Sequence, residues 1–161
     1  FKVAYAPGAL EAIAYTGGKE VARARVETTG PAVALELVPD RAALDGDGRD
    51  AMPITVRALD AQGRAVPLAQ DEVRFAIAGA GQSIGNGNGD PNSHEDEKGS
   101  TRKLFNGLAQ LLVQSNWNSS GSIEVDASAP GLRAAHLTIP VRAVAPVAYV
   151  PAAAPPVDDK P

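Results

Sequence analysis

The sequence predicts an all-β fold, and three observations carry that expectation. Apolar and polar residues alternate with a period of two in short runs from Val33 to Arg142. Turn signals rich in Gly, Pro, Asn and Asp punctuate those runs every ~8–12 residues. No stretch keeps a helical period for long, and Ala, Val and Gly dominate the composition. Together the spacing and the alternation describe an immunoglobulin-like β-sandwich, preceded by a few strands of a truncated second β-domain.

The first segment reads as three strands, Phe1 to Tyr5, Leu10 to Tyr15 and Glu20 to Glu27, separated by turns at Pro7-Gly8 and Thr16-Gly17-Gly18. Three strands have nowhere to bury an apolar face on their own. Residues 1–29 are therefore expected to be the terminal strands of a preceding β-sandwich domain. Thr28-Thr29-Gly30-Pro31 reads as a linker.

Residues 30–143 form the predicted sandwich. Val33, Leu35 and Leu37 share one face of its first strand, which Pro39 and Asp40 end. After the turn at Asp45–Asp50, Ile54, Val56 and Ala58 point inward while Thr55 and Arg57 point outward. Val73, Phe75 and Ile77 make the next inward set. Ala109, Leu111 and Val113 follow, then Ile123, Val125 and Ala127, and last Ala135, Leu137, Ile139 and Val141. His136 falls on the outward face of that final strand. Residues 144–161 are rich in Ala and Pro, with five prolines after residue 145, and read as an extended tail.

One long interruption organises this pattern. From Ile84 to Phe105 there is no apolar period until Leu104, yet the stretch carries His94 and the adjacent acids Glu95, Asp96 and Glu97. A structureless loop of this length inside a compact domain is uncommon, and such loops are functional or disordered. Asn86-Gly87 and Asn88-Gly89 tolerate positive φ, so the loop can fold on itself, and Asp90-Pro91 fixes its exit. Asn86, Asn88, Asp90, His94 and Glu95 are the residues expected to contact a partner domain or the rim of a substrate site.

Composition removes several function classes. The net charge of the 161-residue chain is −4 and its basic residues are scattered, which argues against a nucleic-acid footprint. No apolar run approaches the ~20 residues of a membrane-spanning helix. With no cysteine, the chain has neither a disulfide framework nor a thiolate metal site. The chain starts at Phe1, inside a strand-like run, and is expected to be a piece of a larger polypeptide that holds the activity.

No catalytic residue is assigned. Paired-carboxylate hydrolysis needs two acids on rigid elements, one with a raised pKa, and nothing apolar flanks Glu95, Asp96 or Glu97. Ser93 and His94 are neighbours in sequence, whereas a triad is defined by spatial roles. The Asp45–Asp50 segment resembles a calcium loop but has Arg49 where a ligand belongs and lacks the closing glutamate. Gly85–Asp90 looks like one calcium nonapeptide without a stacked neighbour. The expectation is no metal and no cofactor. Trp117, between Asn116 and Asn118, is the one candidate sugar contact, and Asn118-Ser119-Ser120 matches the glycosylation pattern.

A family resemblance joins these parts. Phe1–Leu10 followed by Gly18–Ala22 resembles the end of the domain after the catalytic barrel in bacterial β-galactosidases of glycoside hydrolase family 2. Leu37–Arg41 with Leu44, Gly48 and Asp50 is similar to the start of the next, immunoglobulin-like C-terminal domain. The string Ile84–Glu95, with Arg102, Phe105–Ala109 and Gln114-Ser115, is the most specific part of the match.

The resemblance implies a non-catalytic accessory domain that packs on a catalytic barrel and neighbouring domains and shapes the active-site rim. It implies a parent that performs retaining hydrolysis with two barrel glutamates, neither of which maps onto this chain. Galactosides are the implied ligands of that parent. A periplasmic or secreted location is preferred to a cytoplasmic one, the compartment being otherwise unknown. The alternative is a carbohydrate- or surface-binding module centred on Trp117.

Overall fold

The computed structural model of the protein describes residues 4–145. It is all-β, with eleven strands among those residues: β1 (Ala9–Thr16), β2 (Lys19–Glu27), β3 (Ala34–Pro39), β4 (Leu44–Asp45), β5 (Ala51–Leu59), β6 (Glu72–Gly79), β7 (Gly81–Gly87), β8 (Thr101–Lys103), β9 (Leu108–Ser115), β10 (Gly121–Ser128) and β11 (Ala135–Arg142). β1 and β2 form a hairpin by themselves. The others make two sheets, one ordered β4-β11-β10-β6-β8 and the other β3-β5-β9-β7.

The two sheets bury the alternating residues against each other. Ile54, Val56 and Ala58 of β5 are fully buried, as are Leu111 and Val113 of β9 and Ile123, Val125 and Ala127 of β10. Registers such as Ile54 opposite Leu111 and Val125 opposite Ile77 keep each inward set in line, because a one-residue slip would turn every one of these side chains to solvent. Leu44 and Met52, both fully buried, seal one end. Val33 departs from the expected inward set. It is exposed, and Ala34 takes the buried place at the start of β3.

Where the structure differs from the sequence pattern, the elements are short or glycine-rich. Ile84–Gly87 belongs to β7 and Thr101–Lys103 is β8, so the loop expected from Ile84 to Phe105 is strand at both ends. β7 holds three glycines and shifts register between Ser83 and Gly85, which erases its alternation. At Gly81 a methyl group would sit 2.2 Å from Ile123 Cδ1, so only glycine lets this edge strand lie against the facing sheet. Ala4 and Tyr5 are not strand, and residues 1–3 and 146–161, with most of the expected tail, fall outside the described residues.

The hairpin is amphipathic. Leu10 faces Val26, Ala12 faces Ala24 and Ala14 faces Ala22 on one side. On the other, Arg23 pairs with Glu11 and Glu20 while Arg25 pairs with Glu27. Both sides are exposed, and no strand of the hairpin packs extensively on a strand of the sandwich.

Candidate functional site

The segment between β7 and β8 closes the open side of the sandwich. β7 is the edge of one sheet and β8 the edge of the other, so the chain must cross between layers here. Asn86 points inward from β7 and Arg102 points inward from β8, and the two meet in the interior with 5% and 2% of their surface exposed. The Arg102 guanidinium donates to Asn86 Oδ1 (2.7 Å), to the Asn86 carbonyl (3.1 Å) and to Ser93 Oγ (3.2 Å). Glu95 Oε2 lies 3.7 Å from the same group. A buried cation stays folded in only when its donors are engaged in this way.

The loop residues then hold each other. Asn86 Nδ2 donates to the Gly99 carbonyl and its backbone N–H to the Glu97 carbonyl, both at 2.7 Å, which occupies part of the free edge of β7. Asn88 Nδ2 donates to the Lys103 carbonyl (2.9 Å), and Asn88 Oδ1 accepts from the Asp90 N–H (3.0 Å). Asp90 Oδ1 accepts from the Asn92 N–H (2.9 Å), an Asx turn. Glu95 Oε1 accepts from the Lys103 N–H (3.1 Å) and Oε2 from Ser93 Oγ (3.2 Å). Asn86, Asn88, Asp90 and Glu95 are thus brought together as one network. His94 stands outside it, exposed on the turn beside Glu95.

The side chains of this arrangement are engaged chiefly with one another. Both oxygens of Glu95 are engaged with donors of the same loop. The described carboxylates whose pKa shifts lie outside this loop, and all of them go down. Glu27 is lowered by hydrogen bonds from Arg25 and Arg64, Asp47 by the backbone N–H groups of Arg49 and Asp50, and Glu124 by the hydroxyls of Ser122 and Thr138. Asp60 lies well below the usual carboxylate range, held there first by the Arg64 guanidinium and then by the N–H groups of Arg64, Gly30 and Gln62.

Trp117 is at the other end of the sandwich from the base of the loop. Gly87 pairs with Gln110 near the start of β9, whereas Trp117 follows Ser115 at its end. Trp117 is 48% exposed and forms a β-bridge with Asp47, so its turn is stacked on the Asp45–Asp50 turn. Gly46 cements that stack: a methyl group there would meet the Ser119 carbonyl oxygen at 1.8 Å. Within the turn, Asp47 Oδ1 accepts from the N–H groups of Arg49 and Asp50, both at 2.8 Å, so its carboxylate serves its own backbone. The base of the loop and Trp117 thus sit at opposite ends of β9.

Two sets of residues escaped the sequence reading. Arg102, on β8, is the centre of the network; the sequence named it only as part of the family match and not as a site residue. Asp60, whose side chain is fully buried, and Arg64 were not singled out by the sequence. On the outer face of the five-stranded sheet, His136 lies between Asp126 (2.8 Å) and Glu124 (3.1 Å), outward as the alternation predicts.

Comparison with known proteins gives this geometry a setting. Residues 35–138 match the model of the glycoside hydrolase family 2 C-terminal domain 5. The chain is 37% identical over 139 residues to a β-galactosidase of Bacteroides ovatus, covering 86% of this chain and 16% of that protein. It is 35% identical over 120 residues to a β-glucuronidase of Formosa agariphila, covering 70% of this chain and 11% of that one. A crystal structure of a glycosyl hydrolase family 2 member from Bacteroides cellulosilyticus superposes with a TM-score of 0.82 at 37% identity, over 86% of this chain and 19% of its own. The chain therefore spans less than a fifth of the length of each of these relatives.

Proposed function

Because the chain belongs to the glycoside hydrolase family 2 C-terminal domain 5 family, we propose that it is a non-catalytic accessory sandwich of a larger glycosidase. In this reading it packs on the catalytic unit and neighbouring domains of its parent. The loop from Asn86 to Glu95 faces one of those domains or the rim of the active site, with His94 among its exposed groups. The observation that carries the reading is the closed hydrogen-bond network around Arg102. It leaves the loop rigid and its acids engaged, which suits a docking element and not a proton-transfer site.

The hairpin of β1 and β2 is then the end of the domain before the sandwich, its apolar strip covered by the rest of that domain. The names of the relatives, a β-galactosidase and a β-glucuronidase, support a β-galactoside or a β-glucuronide as the substrate class of the parent. The purified chain is expected to leave chromogenic forms of both intact. In the parent, His94→Ala is expected to change turnover or KM without changing thermal stability, since a misplacement of about 1 Å near a reacting centre can cost ~100-fold. Turnover by the isolated chain that is abolished by Glu95→Gln would overturn the accessory reading. Unchanged kinetics of the His94 variant would remove the rim from it.

A second reading has its own observation, the half-exposed Trp117 at the far end. As a carbohydrate-binding module the isolated chain would bind galactosides or a polysaccharide, and Trp117→Ala would abolish the heat of binding. An absence of heat with such glycans removes this reading and leaves the first untouched.

A further inference from the structure

The hairpin and the sandwich are joined at one place that is built more elaborately than a linker requires. Asp60 begins the turn after β5, and its carboxylate is fully buried. Oδ1 accepts from the N–H groups of Gln62 and Arg64, both at 2.9 Å, which shapes the turn itself. Oδ2 reaches out of the turn. It accepts from the Gly30 N–H of the linker (3.0 Å) and from Arg64 Nε (2.8 Å). Arg64, oriented by that carboxylate and by Gln62 Oε1 (3.1 Å), donates through Nη1 to Glu27 Oε2 (3.0 Å), on the last residue of β2.

We propose that Glu27, Asp60 and Arg64 form a clasp that fixes the direction in which the hairpin leaves the sandwich. Two parts of a chain that share little packed surface move relative to each other by default. Here the hairpin has no extensive packing on the sandwich, so orientation must come from the linker contacts. A planar guanidinium held at Nε by one carboxylate and at Nη1 by another is a two-ended restraint. A flexible lysine ammonium would not supply it. Asp60 does double duty, because its second oxygen anchors the linker backbone at the point where the chain turns into β3. The clasp stands on these contacts alone; only its consequence, placement of the sandwich within a parent enzyme, rests on the reading above.

The absence of cysteine makes the test direct. Spin labels at Thr16→Cys on the hairpin and Ser128→Cys on the sandwich report the distance between them in the full chain. The expected distribution is narrow, and Glu27→Gln or Arg64→Gln is expected to broaden it by about a factor of two. Glu27 is on the hairpin, so its substitution leaves the Asp60 turn intact even if Arg64→Gln unsettles it. Arg23→Gln, which removes ion pairs within the hairpin alone, is expected to leave the width unchanged. An unchanged width in Glu27→Gln, or an equal broadening in Arg23→Gln, would overturn the clasp. Either result is independent of whether the parent is a glycosidase.

Discussion

Three side chains set the behaviour of this domain at the residue scale, each through a charge that the fold has to satisfy. Asn86 matters because Arg102 is buried: Asn86→Ala removes the Oδ1 acceptor at 2.7 Å and leaves part of a buried guanidinium without a partner. The expected loss of stability is about 2–3 kcal/mol by denaturant titration, at the upper end for an orphaned buried donor. Asp60 has a pKa depressed by Arg64 and three backbone N–H groups. Its contribution is therefore present above the unfolded value of about 3.9 and is lost as pH falls through the lower folded value. Asp60→Asn is expected to melt lower than wild type at neutral pH, with the gap narrowing below about pH 4. His136 runs the other way. Its pKa is raised, first by the hydrogen bond to Asp126 and then by the charges of Asp126 and Glu124. Its contribution is complete below about 6.5 and disappears as pH rises through the raised value. Melts between about pH 5.5 and about pH 8.5 should fall for wild type and flatten in His136→Gln.

At the scale of elements, legibility followed burial. β5, β6, β9, β10 and β11 bury alternate side chains between two sheets, and each was visible as a period of two. β4 and β8 have two and three residues, too few to show any period. β7 hides because Gly81, Gly85 and Gly87 carry no side chain to alternate and a register shift breaks its phase. The candidate site was readable as a place and less so as a mechanism. Asn86, Asn88, Asp90 and Glu95 do come together, but through Arg102, whose buried role could not be inferred while the surrounding stretch read as loop. The glycine that hides β7 also sets a prediction. Gly81→Val would drive a side chain into Ile123 and the Gln114 carbonyl. Overpacking of this kind costs about 1–3 kcal/mol, and the midpoint of chemical unfolding should drop accordingly.

For the molecule as a whole, the question is which part of the chain is the folding unit. Among the described residues, every buried apolar residue of the core lies between Ala34 and Val141. The hairpin contributes none of them, and Leu10, Tyr15, Val21 and Val26 are all at least 60% exposed. An isolated two-stranded hairpin is marginal in water, so its order depends on the clasp and, in the proposed parent, on the domain that covers its apolar strip. The sandwich has no such dependence. A chain beginning at Thr29 keeps the Gly30 N–H that Asp60 accepts and, among the described residues, loses the exposed bond from Arg64 to Glu27. Removing residues 1–28 should therefore leave cooperative unfolding with a melting temperature close to that of the full chain, read by circular dichroism. It should also lower self-association at high concentration, because an uncovered apolar strip with free strand edges invites pairing. A truncated chain that melts much earlier or without cooperativity would mean that the hairpin is part of the sandwich's own core. The division of labour between a packed sandwich and a strand pair awaiting its partner would then have to be redrawn.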